Sequence, residues 1–181
     1  MTAATASSAA ATGLLIVVFA WSGPTKIARP FGAAVALTRF RLARHVRPTV
    51  ARVIGIGELA LALALLLDPV GIGSLAAAAT VLAVFSAVVT RAVRAGETFP
   101  CACFGNEQRP LSAATIVRNL ALLAVAGAGL AAAVAGVRTT AAERAYGLVL
   151  GALLACSVLL LDRLAETRPF RSDLDLHHGA S

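Results

Sequence analysis

Five apolar runs follow one another through this chain, at about 9–28, 48–67, 70–90, 112–137 and 145–161, and the gaps between them hold most of the charge. A helix needs about 20 apolar residues to cross the hydrocarbon layer of a bilayer. In lipid, an unpaired backbone N–H or C=O is so costly that only helices and closed barrels cross. Runs of this length and spacing therefore predict an all-α integral membrane protein, a single bundle over residues 1–161 with a polar tail over 162–181. No gap is long enough to build a soluble core. Composition agrees: 59% of the residues are hydrophobic and 14% charged, against about 45–50% and about 25% in soluble domains.

The net charge of +7 comes almost entirely from arginine. These arginines stand beside apolar runs, where lipid headgroups and orientation account for them, so nucleic acid is not an expected partner and the lipid bilayer is. Met1 to Thr25 carries no charged side chain. The positive flank of a signal peptide is missing, and the first run reads as a retained span.

Alternating the spans defines two faces. The first span starts on side B and leaves on side A at Trp21 and Lys26, an interfacial aromatic and a lysine able to snorkel to water. Arg29 to Arg47 is basic with interleaved Phe31, Ala34, Leu37 and Phe40, which predicts a short interfacial helix or a solvated loop on side A. Pro48 opens the second span, and Asp68-Pro69 with Gly71 turns the chain on side B. The third span returns to side A at Arg91 and Arg94. Ser112 can cap the fourth, and Gly147 and Gly151 give the fifth a small-residue face suited to close helix packing.

Three side chains are out of place in hydrocarbon or stand at its edge. Glu58 lies about 15 Å into the second span and Arg118 about 9 Å into the fourth, at 1.5 Å per residue, both from side A. Intramembrane charges face the bundle interior and take a partner, so Glu58 and Arg118 are expected to pair, with Lys26 nearby. That pair serves either helix register or a site.

The site would be the thiols. Cys101 and Cys103 stand one residue apart in Phe99-Pro100-Cys101-Ala102-Cys103-Phe104-Gly105, in the side-A gap between the third and fourth spans. A disulfide across one intervening residue closes a small strained ring, suited to exchange rather than to stapling. A cation beside a cysteine favours the thiolate that attacks disulfides and binds metal; Lys26 or Arg118 fits that part. Two sulfurs alone are too few for a soft metal such as copper or zinc, though His45 or His177 and His178 could assist. Cys156 reads as a small buried apolar residue.

Four stretches of this sequence resemble the MauE family of methylamine-utilisation membrane proteins, within the wider DoxX-like group. They are Trp21-Ser22-Gly23-Pro24-Thr25-Lys26 at the first exit, Gly57-Glu58-Leu59 in the second span, Cys101-Ala102-Cys103-Phe104-Gly105, and Thr115-Ile116-Val117-Arg118-Asn119 at the entry to the fourth. The resemblance covers roughly Leu14 to Val137. It implies a four-helix DoxX-like core, to which this chain adds a fifth, C-terminal transmembrane helix, in a multi-pass protein of the cell membrane. It also implies support for maturation of a disulfide-rich exported protein, in methylamine dehydrogenase the small subunit, beside a thioredoxin-like redox partner. The layout further looks like vitamin K epoxide reductase and DsbB-type proteins, in which a cysteine pair trades electrons with quinone. That likeness is one of fold alone, and no quinone site is legible in the residues.

Three functions follow as expectations. The first is a thiol-disulfide relay using Cys101, Cys103, Arg118, Glu58 and Lys26; as an enzyme it would be a thiol-disulfide oxidoreductase. The second is a soft-metal carrier or chaperone on the same thiols. The third is an assembly factor whose cysteines are incidental. Sidedness divides the signals. Side A carries fourteen of the sixteen Lys and Arg residues, leaving Arg138 and Arg144 to side B, which places the thiols in the cytoplasm by the positive-inside rule. Oxidation of an exported protein calls for the opposite face, because cytoplasmic thiols are kept reduced.

Overall fold

Helix boundaries follow local chemistry. The computed structural model describes residues 2–42, 44–68, 71–96 and 113–167, and among these the regular structure is six helices. Helix α1 spans Ala3–Ala28 and starts six residues before the apolar run that predicts it. Thr2 caps it: the Thr2 hydroxyl accepts from the Thr5 N–H at 3.3 Å, and the Thr5 hydroxyl accepts from the Thr2 N–H at 3.2 Å. That reciprocal box satisfies two orphan donors and lets the alanine-rich start coil.

Proline opens the next two helices, where its fixed φ suits the first turn and its missing N–H goes unneeded. They are α2, Pro30–Arg39, and α3, Pro48–Leu67. The stretch between the first two spans is thus a helix rather than a loop, and Ala33 and Ala34 seat α2 on Ala51 of α3. It ends with Arg41 at φ 58°, where the Leu42 N–H reaches back to the Leu37 carbonyl at 2.9 Å. A left-handed arginine is strained, and the turn it makes folds the chain back toward α2. Helix α4 is Ile72–Arg94, α5 is Ala113–Val134 and α6 is Ala141–Thr167. Gly136, at φ 77°, closes α5: its N–H bonds the Ala133 carbonyl and the Val137 N–H bonds that of Ala132, both at 3.0 Å.

Four helices, α1, α3, α4 and α5, are long and apolar enough to cross a membrane. Their outward faces are apolar, with Val53, Ile56, Leu63, Val84 and Val117 all exposed, as lipid-facing surfaces must be. Helix α1 is the centre of the bundle and touches α3, α5 and α6, while α4 packs on α5. Leu15 and Phe19 of α1 meet Ala62 and Leu65 of α3, Leu75 and Leu82 of α4, and Leu122 and Ala126 of α5 in one core.

The expected small-residue face of α6 is present and its counterpart lies on α1. A Cβ on Gly147 would collide with the Ala9 carbonyl, and one on Gly13 with the Gly147 carbonyl. Gly151 meets Gly13 and Leu14 one turn on, so α1 and α6 run in the same direction. Helix α6 continues to Thr167, six residues past the apolar run at 161. Cys156 is exposed rather than buried. It stands five residues beyond Gly151, about 140° around the helix at 3.6 residues per turn, and so away from α1.

Glu143 locks the side-B end of the same pair. It accepts from the Thr5 hydroxyl at 2.6 Å and from the Thr140 N–H at 2.9 Å. The Thr5 hydrogen bond, with the Thr140 backbone bond behind it, holds the Glu143 carboxyl below the usual carboxylate range. A depressed folded pKa contributes stability that is complete above the unfolded value of about 4.3 and is lost as pH falls through the folded one. Acidification below about pH 4 should therefore lower the melting temperature of the detergent-purified protein more than that of Glu143→Gln. Parallel melting curves for the two would show that this carboxylate is not linked to folding.

Candidate functional site

Where α1 and α3 cross, their backbones touch. A Cβ built on Gly23 would lie 2.8 Å from the Gly55 carbonyl oxygen, and one built on Gly55 would lie 2.7 Å from that of Gly23. Three residues beyond each glycine, on the same face of its helix, stand Lys26 and Glu58. The Lys26 ammonium donates to Glu58 Oε1 at 2.8 Å and to Oε2 at 2.7 Å. It donates its third bond to the Ser22 hydroxyl one turn back on α1. Both side chains are nearly withdrawn from the surface, at 11% and 13% exposure.

This corrects two expectations. Lys26 does not snorkel to water; it turns inward to Glu58. The intramembrane carboxylate pairs with Lys26 rather than with Arg118. The reason is adjacency. Helix α3 packs on α1, α2 and α4, whereas Arg118 rides on α5, across α1 from Glu58. The two glycines bring Lys26 close enough to place its Cβ 3.1 Å from a Cβ built on Gly55.

A second polar group lies at the same height. Gly129 of α5 rests against Leu75 of α4 and Ala11 of α1, at 3.5 and 3.7 Å from its built Cβ. Helix α5 runs antiparallel to both, as the contact of Ile116 with Val89 and Ala92 also requires. Ten residues earlier on α5, Asn119 therefore stands level with Ser86 of α4 and Ser22 of α1. Asn119 is fully buried, and among the described residues neither atom of its amide has a hydrogen-bond partner; the Ser86 hydroxyl also lacks one there. Arg118, half-buried, precedes it in the second turn of α5. Lys26, Glu58, Ser22, Ser86, Arg118 and Asn119 thus form one polar layer near the side-A end of an otherwise apolar bundle. Ser86 and the height of Asn119 escape a reading of the residues. The one available signal is a serine amid the alanines and valines of α4.

Beside this layer is a cavity of about 320 Å³ bounded by α1, α2, α3 and α4. Phe19, Phe40 and Phe85 are among its apolar walls, and Lys26, Glu58, Ser22 and Thr80 supply its polar atoms. Four separate helices make it, so it has no local signature in the sequence.

Cys101 and Cys103 lie outside the described residues, as do His177 and His178. The chain between α4 and α5 carries the two thiols, and α5 then brings in Arg118 and Asn119. Among the described residues no group of three His, Cys, Asp or Glu side chains stands together, and His45 is exposed.

A family model described as methylamine utilisation protein MauE matches residues 4–132, which is α1 to all but the last two residues of α5. The methylamine utilization protein MauE of Paracoccus denitrificans is 36% identical over 124 residues, covering 66% of this chain and 67% of that protein. No solved structure matches.

Proposed function

The chain belongs to the MauE family of membrane proteins, and from that premise we propose that it is a thiol-disulfide relay supporting maturation of an exported, disulfide-bearing protein of the methylamine dehydrogenase type. The single observation that carries this reading is the Cys101-Ala102-Cys103 pair, in a chain with one other cysteine, placed on the connection between α4 and α5. Helix α6, running beside α1 outside the matched segment, serves as the fifth crossing of the same bundle.

The chemistry is exchange. A substrate thiolate attacks one sulfur of the Cys101–Cys103 disulfide and forms a mixed disulfide, releasing the other cysteine as thiolate. The substrate's second thiolate then attacks the mixed disulfide. The substrate leaves oxidised, and two electrons stay on the Cys101/Cys103 dithiol until a thioredoxin-like partner's disulfide accepts them. Arg118, on the helix that follows the thiols, stabilises the thiolate that leaves or attacks. Lys26 is already neutralised by Glu58, which makes it a weaker candidate for that role. The exchange is the same on either face of the membrane, and the face sets its direction: an outward pair oxidises exported thiols, an inward pair takes electrons from the cytoplasm. Direct oxidation of exported thiols calls for the outward face, against the arginine bias of side A.

Cys103→Ser should abolish exchange with the partner and maturation of the exported protein while leaving the melting temperature unchanged. Maturation at the native level in that variant contradicts the relay. A soft-metal carrier predicts instead that metal copurifies with the protein and is lost in Cys101→Ser.

A further inference from the structure

The cavity between α1, α2, α3 and α4 has the size and the lining of a ligand pocket. At about 320 Å³ it falls within the range of ligand pockets, roughly 300–1,000 Å³, and its lining is nearly all apolar. Three of its wall residues, Ile54, Val81 and Val84, are also exposed on the outer surfaces of α3 and α4. Those surfaces face lipid, so the cavity opens sideways into the bilayer and its ligand arrives from there. Leu42 and Phe40, at the end of α2, wall the side-A part. The strained turn at Arg41 stands between them.

The polar atoms select the head of that ligand. A lysine ammonium has three protons. Ser22 and the two oxygens of Glu58 occupy all three donor directions of Lys26. The Thr80 hydroxyl spends its proton on the Ala76 carbonyl at 2.8 Å. Ser22 accepts from Lys26 and is engaged by a further partner, so what remains at the wall are acceptors: lone pairs on the Glu58 carboxylate and on the Thr80 oxygen. The pair is neutral overall, so an anionic head gains nothing and meets a carboxylate. A hydrogen-bond donor that carries no charge complements it.

We propose that this cavity binds a neutral bilayer amphiphile whose compact head donates hydroxyl hydrogen bonds to Glu58 and whose apolar tail leaves between α3 and α4. Two kinds of membrane molecule share that chemistry, a dihydroxy aromatic ring on a long tail and a monoacylglycerol. The proposal rests on the bundle's seat in the membrane and not on thiol exchange. A variant lacking Cys101 and Cys103 should bind equally well, so failure of one reading leaves the other standing.

The test uses the full chain in phosphatidylcholine nanodiscs and an alkylresorcinol with a diazirine in its tail. This probe has the aromatic diol but does not cycle between quinone and quinol. Saturable crosslinking to peptides containing Ile54, Val81 or Val84 is expected. Thr80→Trp fills the cavity from an exposed position that tolerates bulk, and should cut labelling about tenfold with the melting temperature kept. Lys26→Met/Glu58→Leu removes the polar wall at similar volume. It should weaken binding by about tenfold or more, the loss of one hydrogen bond to a charged group. Displacement by an alkylhydroquinone identifies the ring as the natural head, and displacement by a monoacylglycerol of equal tail identifies the glycerol. Labelling unaffected by Thr80→Trp, labelling unaffected by loss of the Lys26–Glu58 pair, or no saturable labelling overturns the proposal; the second result would mean that acyl chains alone fill the space.

Discussion

Glu58→Ala should destabilise the bundle by about 3–5 kcal/mol, the cost of stranding one member of a buried ion pair. Lys26 is only 11% exposed and sends two of its three donors to Glu58. Without the carboxylate it keeps the Ser22 bond and a charge facing an apolar cavity. Lys26→Ala should cost a similar amount, because the orphan is then a carboxylate within a membrane-spanning helix. The double variant Lys26→Met/Glu58→Leu should fold nearly as well as the parent, since apolar replacement of both partners is often neutral or stabilising. Thermal or denaturant unfolding in one detergent measures all three. If the single variants are as stable as the double one, the charges are not coupled and the pairing is incidental. If the double variant folds but fails to mature the exported protein, the pair serves function rather than assembly.

The second large effect lies at the other end of α1. Gly147→Leu should cost about 3 kcal/mol, the upper end of what overpacking imposes, because its Cβ meets the Ala9 backbone and not a side chain that can swing away. Gly13→Leu meets the Gly147 backbone and should behave alike. In lipid, helices associate through close packing and not through the hydrophobic effect, so a forced gap here removes most of what holds α6 to α1. Gly57→Leu is the control: nothing lies within 4 Å of a Cβ at that position. Proteolysis of the detergent-purified protein should release a C-terminal fragment in the first two variants and not in the third. Equal resistance in all three would mean that α6 is held by something other than this contact.

These effects show where a reading of residues reaches and where it stops. Hydropathy places each span along the membrane normal, since length and charge act there directly. It therefore located Lys26, Glu58 and Arg118 in one half of the bundle. It carries no information about which helices are neighbours around the bundle axis. Pairing Glu58 with Arg118 needed α3 to touch α5, whereas α3 packs on α1 through Gly23 and Gly55. The same blindness to azimuth turned Cys156 inward on paper and outward in the fold. Gly147 and Gly151 were legible because a four-residue spacing of small residues is itself a statement about one face of a helix. The cavity, and the level shared by Asn119 with Ser86, depend on several helices at once and have no local signature.

The relay requires that Cys101 and Cys103 exchange disulfides with a partner. The most direct measurement uses Cys103→Ser in a Cys156→Ser background, so that Cys101 is the sole thiol, in cells that make the exported protein. Quenching with acid and a thiol-blocking reagent, then separating without reductant, should reveal the protein in a covalent adduct that reductant releases, and that is absent when Cys101 is also replaced. No adduct through Cys101, together with full maturation of the exported protein in the cysteine-free variant, would contradict the relay.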